Sequence, residues 1–402
     1  MTKTDIAIVG AGPAGLCMAA ALARAGLEIT LLERLPRAAL EQPGFDGREI
    51  ALTHRSVALM KRLGLWPRVP PEEISPLRDA RVFNGASRRS MHLDHGHGGR
   101  GCLGYLVPNH LIRAAAFAAI KDAPDVALWS EAQVTAVRAD AHHVDIRLSD
   151  GRALSARLVV AADSRFSEMR RNVGIPTRMR DFGRSMLVCR VIHEVPHDHT
   201  AWEWFDHGQT LALLPLGREG DPRNRSSVVL TLPAAHMHEV RSMDEEAFGR
   251  ELERRFHGRL GRMRLDSERH VYPLVGTYPE RFVGERFALI GDAAVGMHPV
   301  TAHGFNLGLR GVETLSHEIL RASGSGGDPG SPTLLARYDR AHRRTTLPFY
   351  LATCGIVGLF TDDRRPARIL RPAVLRAADA CRPFKRLLAA SLADERRPVP
   401  PF

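Results

Sequence analysis

Short apolar runs, separated by glycine, proline and polar residues, predict a chain that mixes strands and helices. The runs Asp5–Val9 and Glu28–Leu32 have the length of buried strands, and an alanine-rich segment lies between them. A helical segment of this kind, ended by Gly26, between two buried strands predicts a parallel βαβ unit. We expect the first part of the chain to be organised around this unit.

The pattern changes farther along the chain. Within residues 181–275, apolar and polar positions alternate over Ser185–Ile192, Thr210–Leu216 and Ser227–Leu232, and turn-forming residues separate these runs. Alternation with a period of two predicts an antiparallel sheet with one buried face. Arg286–Ile290 is again a continuous apolar run, which predicts a return to the buried sheet.

The turn after the first strand has the glycine pattern of a dinucleotide-binding motif. Gly10 permits a tight turn, Gly12 lets a pyrophosphate approach the helix N-terminus, and Gly15 lets helix and strand pack closely. Glu33 follows the second strand, where a carboxylate accepts hydrogen bonds from a ribose 2′-OH. The ordered spacing favours this interpretation over a glycine-rich turn in an ordinary α/β protein. The motif does not separate NAD from FAD.

These patterns together predict an α/β fold with three components. They are a Rossmann-like nucleotide-binding domain with a parallel sheet, a domain built on an antiparallel sheet, and a C-terminal helical segment. The predicted boundaries are 1–180 for the first part of the nucleotide domain, with 72–100 contributing to the substrate side, then 181–275 for the antiparallel sheet, 276–345 for the second part of the nucleotide domain, and 346–402 for the helical segment.

Composition argues against several classes of function. The five cysteines are widely spaced and form no CxxC pair, so neither a disulfide framework nor a zinc site is indicated. The formal net charge is +11, but only four of the 56 basic residues are lysine and the arginines are spread along the chain. We therefore expect no nucleic-acid partner. No signal peptide precedes the first strand, so the expected location is the cytoplasm.

Three histidines, His92, His95 and His97, have a spacing that occurs in metal sites. No carboxylate or cysteine cluster accompanies them in the sequence. We therefore predict no metal.

Several further motifs resemble one enzyme family over nearly the whole chain. They are Gly47-Arg48-x-x-Ala-Leu-x-x-x-Ser56 followed by Leu-Gly-Leu-Trp, the segment Tyr105–Arg113, Ala162-Asp163-Ser164, Gly291-Asp292-Ala-Ala, and Gly304–Gly308. This set resembles the class A (4-hydroxybenzoate hydroxylase-like) FAD-dependent aromatic monooxygenases, in the branch of the ubiquinone-biosynthesis hydroxylases. The resemblance selects FAD over NAD as the resident cofactor.

The resemblance implies which residues serve the cofactor and the reaction. Residues implied at the FAD are Gly10, Gly12, Ala14, Gly15, Glu33, Arg34, Arg48, Asn109, Arg113, Val134, Asp163, Gly291, Asp292, Gly304, Phe305 and Asn306. Candidates beside the reacting part of the flavin are Arg48, Pro299 and His303. Trp202, Trp204, Leu213 and Pro215 either line the substrate pocket or fill the core. The chain departs from the family at Ser164 (usually Gly), Val295 (His), Ala302-His303 (Gly-Gln) and Gly311 (Asp).

The activity implied is hydroxylation of an aromatic or quinone-precursor ring. In the family, non-covalent FAD reduced by transient NAD(P)H captures O₂ as a C4a-hydroperoxide, and an electron-rich substrate attacks its distal oxygen. Two alternatives stay open. One is a flavin-dependent reductase or halogenase on the same scaffold, and the other is a non-catalytic flavin-binding assembly subunit.

The C-terminal segment raises the question of a membrane. Phe349–Phe360 is apolar but too short to span a bilayer, and Arg364–Arg386 is basic with interspersed apolar residues. Such a segment either docks on the protein or contacts an anionic membrane at the inner face. Pro366, Pro372 and Pro383 are expected to divide it into short pieces, which favours docking. The expected state is a monomer or homodimer.

Overall fold

The computed structural model describes residues 1–85, 87, 90–97, 101–206, 208–218, 220–301, 303–361, 365–381 and 385. In these ranges the strands are β1 (Thr2–Val9), β2 (Ile29–Leu32), β3 (Glu49–Leu52), β4 (Ser75–Leu77), β5 (Asp79–Asn84), β6 (Ser90–Leu93), β7 (Gly104–Pro108), β8 (Val126–Trp129), β9 (Val134–Ala139), β10 (Val144–Leu148), β11 (Ala153–Ala161), β12 (Thr177–His193), β13 (Thr200–Asp206), β14 (Gln209–Leu216), β15 (Arg225–Pro233), β16 (Met263–Leu265), β17 (His270–Pro279), β18 (Val283–Gly284) and β19 (Phe287–Leu289). The α-helices are α1 (Pro13–Leu22), α2 (Arg37–Glu41), α3 (His54–Arg62), α4 (Asn109–Ile120), α5 (Glu168–Asn172), α6 (Ala234–Ser242), α7 (Glu245–Arg255), α8 (Gly291–Ala294), α9 (Gly304–Gly324), α10 (Pro332–Thr361) and α11 (Arg365–Ala380).

The first sheet is built around β1, whose Ile6 and Ile8 are fully buried. Its order is β18-β19-β11-β1-β2-β8, and the strands from β19 to β8 in this order run parallel. β9 and β10 extend the sheet by antiparallel pairing. The carboxyl ends of the parallel strands lie at one edge, which is where ligands bind in sheets of this kind. The predicted βαβ unit is β1–α1–β2.

The second sheet is antiparallel except for the pairing of β13 with β5. Its order is β16-β12-β15-β14-β13-β5-β6, and β17 also pairs with β12. On one face, Trp204 and Leu213 pack against Phe248 of α7 in a second hydrophobic core. On the other face, Val188 and Arg190 of β12 approach the segment that precedes β3. These two sheets and the C-terminal helices confirm the predicted fold class.

The C-terminal helix corrects one expectation. α11 is continuous from Arg365 to Ala380, so the prediction that Pro366 and Pro372 divide it is wrong. Pro366 lies in the first turn, where its missing N–H costs nothing, while Pro372 removes one helical hydrogen bond. The buried Arg371 offsets that loss, because its Nε donates to the Leu359 carbonyl of α10 at 2.9 Å. Residues 382–384, which include Pro383, lie outside the described ranges.

No helix in the described part of the chain combines the length and the apolar character that crossing a bilayer requires.

Helices α9 and α10 pack closely because position 311 has no side chain. A Cβ atom added to Gly311 would lie 3.0 Å from Cε1 of His342. The His342 ring is 2% exposed and stacks on Tyr338 with centroids 5.4 Å apart. Burial, together with the charges of Arg310 and Arg343, lowers the pKa of His342 to about 3. The departure from the family at Gly311 therefore makes room for a buried neutral histidine.

We predict that the protein loses stability as the pH falls below about 6.5, and that His342 contributes to the loss. The folded-state pKa of His342 is about 3, whereas a histidine in an unfolded chain has a pKa of about 6.5. Between these values the unfolded state binds more protons, so the free energy of unfolding falls by about 1.4 kcal/mol per pH unit for such a group. Urea unfolding at about pH 7.5 and about pH 5 measures the change.

The variant His342→Leu cannot take a proton at this position, so its free energy of unfolding should change less between the two pH values. The exposed His142→Asn variant is the control and should behave like the wild type. The same pH dependence in wild type and His342→Leu would contradict the assignment.

Candidate functional site

At the carboxyl edge of the parallel sheet, the turn after β1 packs directly against the backbone that follows β11. Gly10 follows β1 with φ +103°, and a Cβ atom there would lie 2.6 Å from the Ala162 carbonyl oxygen after β11. A Cβ atom on Gly15 would lie 1.9 Å from the Gly10 carbonyl oxygen. Both positions therefore require glycine, as the motif predicts. The start of α1 is held directly above the ends of β1 and β11.

Glu33 lies at the end of β2 beside this turn. Its Oε2 accepts a hydrogen bond from the Ala11 N–H at 2.7 Å, and its Oε1 accepts one from the Leu35 N–H at 2.9 Å. The side chain is buried, so the two bonds fix the direction of the carboxylate. Each oxygen keeps a lone pair with which it can accept a bond from a ligand hydroxyl. The next predicted residue, Arg34, is exposed.

Two helix N-termini meet at this edge without side-chain caps. α1 begins after Gly12 and α9 begins after His303, and neither helix has an N-cap side chain that accepts a hydrogen bond from its first N–H groups. A Cβ atom added to Gly12 or to Gly304 would have no atom within 4 Å. The N-terminal N–H groups of both helices therefore border open space, which suits the negative charge of a pyrophosphate or of a reduced flavin ring.

The two strongest sequence motifs are in direct contact here. A Cβ atom added to Gly291, at the start of α8, would lie 2.7 Å from the Ala14 Cβ in the first turn of α1. On the other side, a Cβ atom on Gly308 of α9 would lie 3.4 Å from the Gly291 Cα. The residues present fit a bound FAD. The glycine motif at Gly10–Gly15, the carboxylate of Glu33 and the segment that begins at Gly291 all surround one opening.

Asp292 lies in the first turn of α8, and its Oδ2 accepts a hydrogen bond from Arg165 Nη2 at 2.9 Å. The Asp292 side chain is 45% exposed, so it remains accessible to a ligand. Asp163 precedes α5, and its Oδ2 accepts from the backbone N–H groups of Glu168 and Met169. The Asp163 Oδ1 is buried and has no hydrogen-bond partner among the described residues. Its backbone lies beside the fingerprint, because a Cβ atom on Gly10 would contact the Asp163 Cα at 2.8 Å.

Ser164 occupies a position at which the family usually has glycine. The residue is exposed, and its φ is not positive. Its carbonyl oxygen accepts a hydrogen bond from the Ser167 N–H at 3.0 Å. The position therefore does not require the glycine of the family, and serine preserves the local geometry.

A carboxylate that the sequence did not single out organises the residues around Arg48. Asp46 Oδ2 accepts from Arg48 Nη2 at 2.6 Å and from Asn109 Nδ2 at 2.7 Å. The Asp46 carbonyl accepts from the Tyr272 hydroxyl at 2.8 Å, and the Arg48 guanidinium lies 5.4 Å from the Tyr272 ring centroid. Burial acts to lower the pKa of Arg48, but the Asp46 carboxylate, Tyr272 and Asp292 together hold it above its ordinary value. Arg48 therefore carries a permanent charge.

Asn306 joins the start of α9 to the end of β3. Its Nδ2 donates to the Ala51 carbonyl at 2.8 Å, and its Oδ1 accepts from the Thr53 N–H at 3.1 Å. These two bonds fix the position of the side chain and hold the first turn of α9 against β3. The neighbouring Phe305 packs against the main core.

The remaining predicted residues lie around this centre. Arg113 is half-buried one turn after Asn109 on α4, and Val134 is buried at the start of β9. Pro299 is exposed, and the buried His303 ring lies 4.8 Å from the Phe349 ring. Ala302, one of the departures from the family, lies outside the described residues. The roles assigned to all these residues stay predictions.

The four predicted substrate residues lie on the face of the second sheet that is turned away from Arg48. Trp204 is fully buried, stacks on Phe83 at 4.9 Å, and donates from Nε1 to the Gly85 carbonyl at 2.9 Å. Trp202 and Leu213 are paired on the same face, and Pro215 follows two residues along β14. Trp204 and Leu213 therefore fill the second core, which was one of the two interpretations of this set.

The opposite face carries residues that the sequence did not reveal. Glu203 and Phe205 alternate with the tryptophans on β13, and Phe205 packs on Phe360 of α10 with ring centroids 4.1 Å apart. Burial raises the pKa of Glu203 to about 8. The period-two alternation predicted that β13 has two different faces. It did not indicate which of the two faces packs against the first domain.

A histidine and aspartate cluster also emerges from the fold. Asp79, Asp94 and His95 bring potential ligand atoms within 4.8 Å of one another. His95 Nδ1 lies 2.8 Å from Asp79 Oδ1, and His92 Nε2 lies 3.7 Å from Asp79 Oδ2. The histidines thus have carboxylates nearby in space, contrary to the sequence argument, because Asp79 comes from the neighbouring strand. The His95 ring and the His95 backbone N–H both hydrogen-bond to Asp79 Oδ1, so the position of this carboxylate is explained by contacts within the protein.

Comparison with known proteins gives the family. The FAD binding domain family matches residues 3–346. Ubiquinone hydroxylase UbiM of Neisseria meningitidis is 45% identical over 393 residues, which are 97% of this chain and 84% of that protein. Ubiquinone hydroxylase UbiL of Rhodospirillum rubrum is 37% identical over 383 residues, covering 95% of this chain and 88% of that protein.

Among solved structures, p-nitrophenol 4-monooxygenase PnpA of Pseudomonas putida superposes with a TM-score of 0.79 at 19% identity, over 99% of this chain and 100% of that one. At this identity the likeness supports the fold alone. The matched family, the two relatives and the geometry of the opening agree: the chain belongs to the FAD-binding family of flavin-dependent monooxygenases that includes the ubiquinone hydroxylases.

Proposed function

We propose that this protein is an FAD-dependent monooxygenase that uses NAD(P)H and O₂ to hydroxylate an electron-rich ring of a ubiquinone precursor. The observation that carries the proposal is the contact of Gly291 with Ala14, which places the dinucleotide fingerprint and the second motif block at one opening. The relatives named ubiquinone hydroxylase, which cover nearly the whole chain, support the substrate class.

The chain's own residues would hold the cofactor in four ways. Glu33 would accept hydrogen bonds from the ribose hydroxyls, and the N–H groups of α1 would bind the pyrophosphate. Asp292 would accept from hydroxyls of the sugar-like chain, and the start of α9 would stabilise negative charge on the ring. Bound FAD supplies the redox chemistry with O₂, and the protein supplies orientation and the exclusion of water.

Arg48 would place a fixed positive charge at the front of this opening. Asp46 and Tyr272 hold its side chain, and Asp292 lies near enough to contribute to its raised pKa. A guanidinium in this position attracts the anionic parts of the flavin or of NAD(P)H. Asp46 therefore acts as the positioning residue for Arg48.

The comparisons do not favour the alternatives. A halogenase, a reductase or a non-catalytic subunit on this scaffold would not account for two relatives that are both ubiquinone hydroxylases. Ser164, one of the departures from the family, does not have a positive φ and so does not need glycine at its position.

A location in the cytoplasm, as a monomer or homodimer, is part of the proposal, and so is a weak peripheral contact with an anionic membrane. The contact would use the exposed apolar residues Leu351 and Ile356 of α10 and Val374 of α11. Arginines in the same C-terminal segment would add attraction to anionic headgroups. Such a contact would bring the site close to a membrane-borne substrate.

We predict that Asp292→Ala weakens FAD binding roughly 10- to 100-fold, because an acceptor that reaches the cofactor hydroxyls is lost. Fluorescence titration of the apoprotein with FAD measures the dissociation constant. The control is Asp122→Ala, which removes an exposed carboxylate beyond the far end of α4. An unchanged dissociation constant for Asp292→Ala would refute its role at the cofactor.

The hydroxylation itself is tested with isotopic oxygen. Under ¹⁸O₂ and NAD(P)H, an accepted phenol or quinone precursor should gain one labelled oxygen atom, which mass spectrometry of the product detects. A reduced product without label would identify a reductase and overturn the proposed reaction.

Sedimentation with liposomes tests the membrane contact. At low salt, the protein should pellet with anionic vesicles more than with neutral ones, and the double variant Leu351→Ser, Val374→Ser should lose the difference. The control is Met179→Ser, which removes an exposed apolar residue from β12 instead. If equal amounts of protein stay in the supernatant with both vesicle types, the membrane contact is refuted. The helices α10 and α11 would then only dock on the rest of the protein.

A further inference from the structure

His298, on the loop that joins α8 to α9, has a buried ring nitrogen to which none of the described residues hydrogen-bonds. The residue is 4% exposed. The Val300 N–H donates to its Nδ1 at 3.2 Å, while Nε2 is shielded from water and has no hydrogen-bond partner among the described residues. An unsatisfied buried polar atom is costly, so a hydrogen-bond partner supplied by a bound ligand would stabilise this part of the structure.

The Val300 contact fixes which nitrogen carries the proton. Because Nδ1 accepts a hydrogen bond from the backbone, it has no proton, so a neutral imidazole must carry its proton on Nε2. Burial and the charges of Arg184 and Arg165 lower the pKa of His298 to about 4, which keeps the ring neutral near pH 7. The free atom is therefore a hydrogen-bond donor, and its partner must be an acceptor.

The surroundings of this donor suit an aromatic ring that carries an anionic oxygen. β12 bulges opposite β17, where Phe182 to Arg184 interrupt the pairing between Asp181 and Ser185. Bulges commonly redirect side chains next to active sites. Here Phe182 places its ring edge-on to His298 with centroids 5.0 Å apart, and the charges of Arg184 and Arg165 act on the imidazole. Arg165 also binds Asp292, which ties this place to the proposed cofactor site.

We infer that the Nε2–H of His298 donates a hydrogen bond to the ring oxygen of a phenolic substrate, which binds as the phenolate beside Arg165 and Arg184. This inference rests on the proposed function and adds to it a residue that would bind the ring oxygen of the substrate. A phenolate ring is richer in electrons than the neutral phenol, so the arrangement favours attack on an electrophilic oxygen. His298 is thus assigned as a substrate-binding residue.

Two substitutions at this position separate the donor from the local structure. In His298→Asn, the side-chain oxygen can accept from the Val300 N–H two residues on, as asparagine does in turns, but no donor reaches the Nε2 position. In His298→Gln, the longer side chain can bring an amide N–H to that position. The probes are 4-nitrophenol, whose phenolate absorbs visible light, and nitrobenzene, which lacks the hydroxyl. Both are titrated into the FAD-loaded protein.

The wild type should bind 4-nitrophenol with a shift towards the phenolate spectrum. His298→Asn should weaken that binding roughly 10- to 100-fold and lose the shift, since a hydrogen bond to a charged group is removed. His298→Gln should retain most of the affinity for 4-nitrophenol and most of the spectral shift. The affinity for nitrobenzene should be the same in the wild type and in both variants. FAD content should not change.

Three results would overturn the inference. They are no binding of 4-nitrophenol by the wild type, equal binding by His298→Asn, and an equal loss of affinity for nitrobenzene, which would indicate a structural role. The isotopic test is independent of these outcomes. If the product is labelled but His298→Asn binds 4-nitrophenol as tightly as the wild type does, only the inference about His298 is rejected. If the wild type binds the phenolate as expected but no labelled product forms, only the proposed hydroxylation is rejected.

Discussion

The site depends on the approach of four backbone segments that no side chain keeps apart. Gly10 and Gly15 bring the turn after β1 against the end of β11 and the start of α1. Gly291 and Gly308 then bring α8 and α9 onto the same place. The cost of such packing is conformational entropy, since glycine loses more freedom on folding than any other residue. The result is a rim of main-chain N–H groups that remain available to an anionic ligand.

Polar side chains then connect this rim to the antiparallel sheet. Asp46 joins Arg48 and Asn109 to Tyr272 of β17, and Asn306 joins α9 to β3. Farther from the opening, Arg190 of β12 pairs with the buried Glu49 at 2.7 Å. The front of the opening is therefore shared by both sheets, so a displacement of the second sheet would move Arg48 as well. In the proposed function, this coupling would let the second sheet influence where the Arg48 charge lies relative to the cofactor.

The sequence was sufficient for the fold class and for the glycine turn after β1. Both follow from local patterns: strand-length apolar runs, and glycines at fixed distances from a helix start. The orientation of β13 was not accessible, because alternation shows that a strand has two faces but does not say which neighbour each face meets. Asp46 was missed because Asn109 and Tyr272 are far from it in the chain. α11 continues through Pro372, and the neighbouring Arg371 contacts α10, a tertiary contact that no local propensity reports.

The contact between Gly311 and His342 constrains which residues position 311 can hold. A Cβ atom there would lie 3.0 Å from the His342 ring, and an aspartate would also be buried against aromatic rings. Any side chain at 311 would therefore have to displace the ring by a few tenths of an ångström. The absence of a side chain at 311 and the presence of a ring at 342 are thus linked properties of this chain.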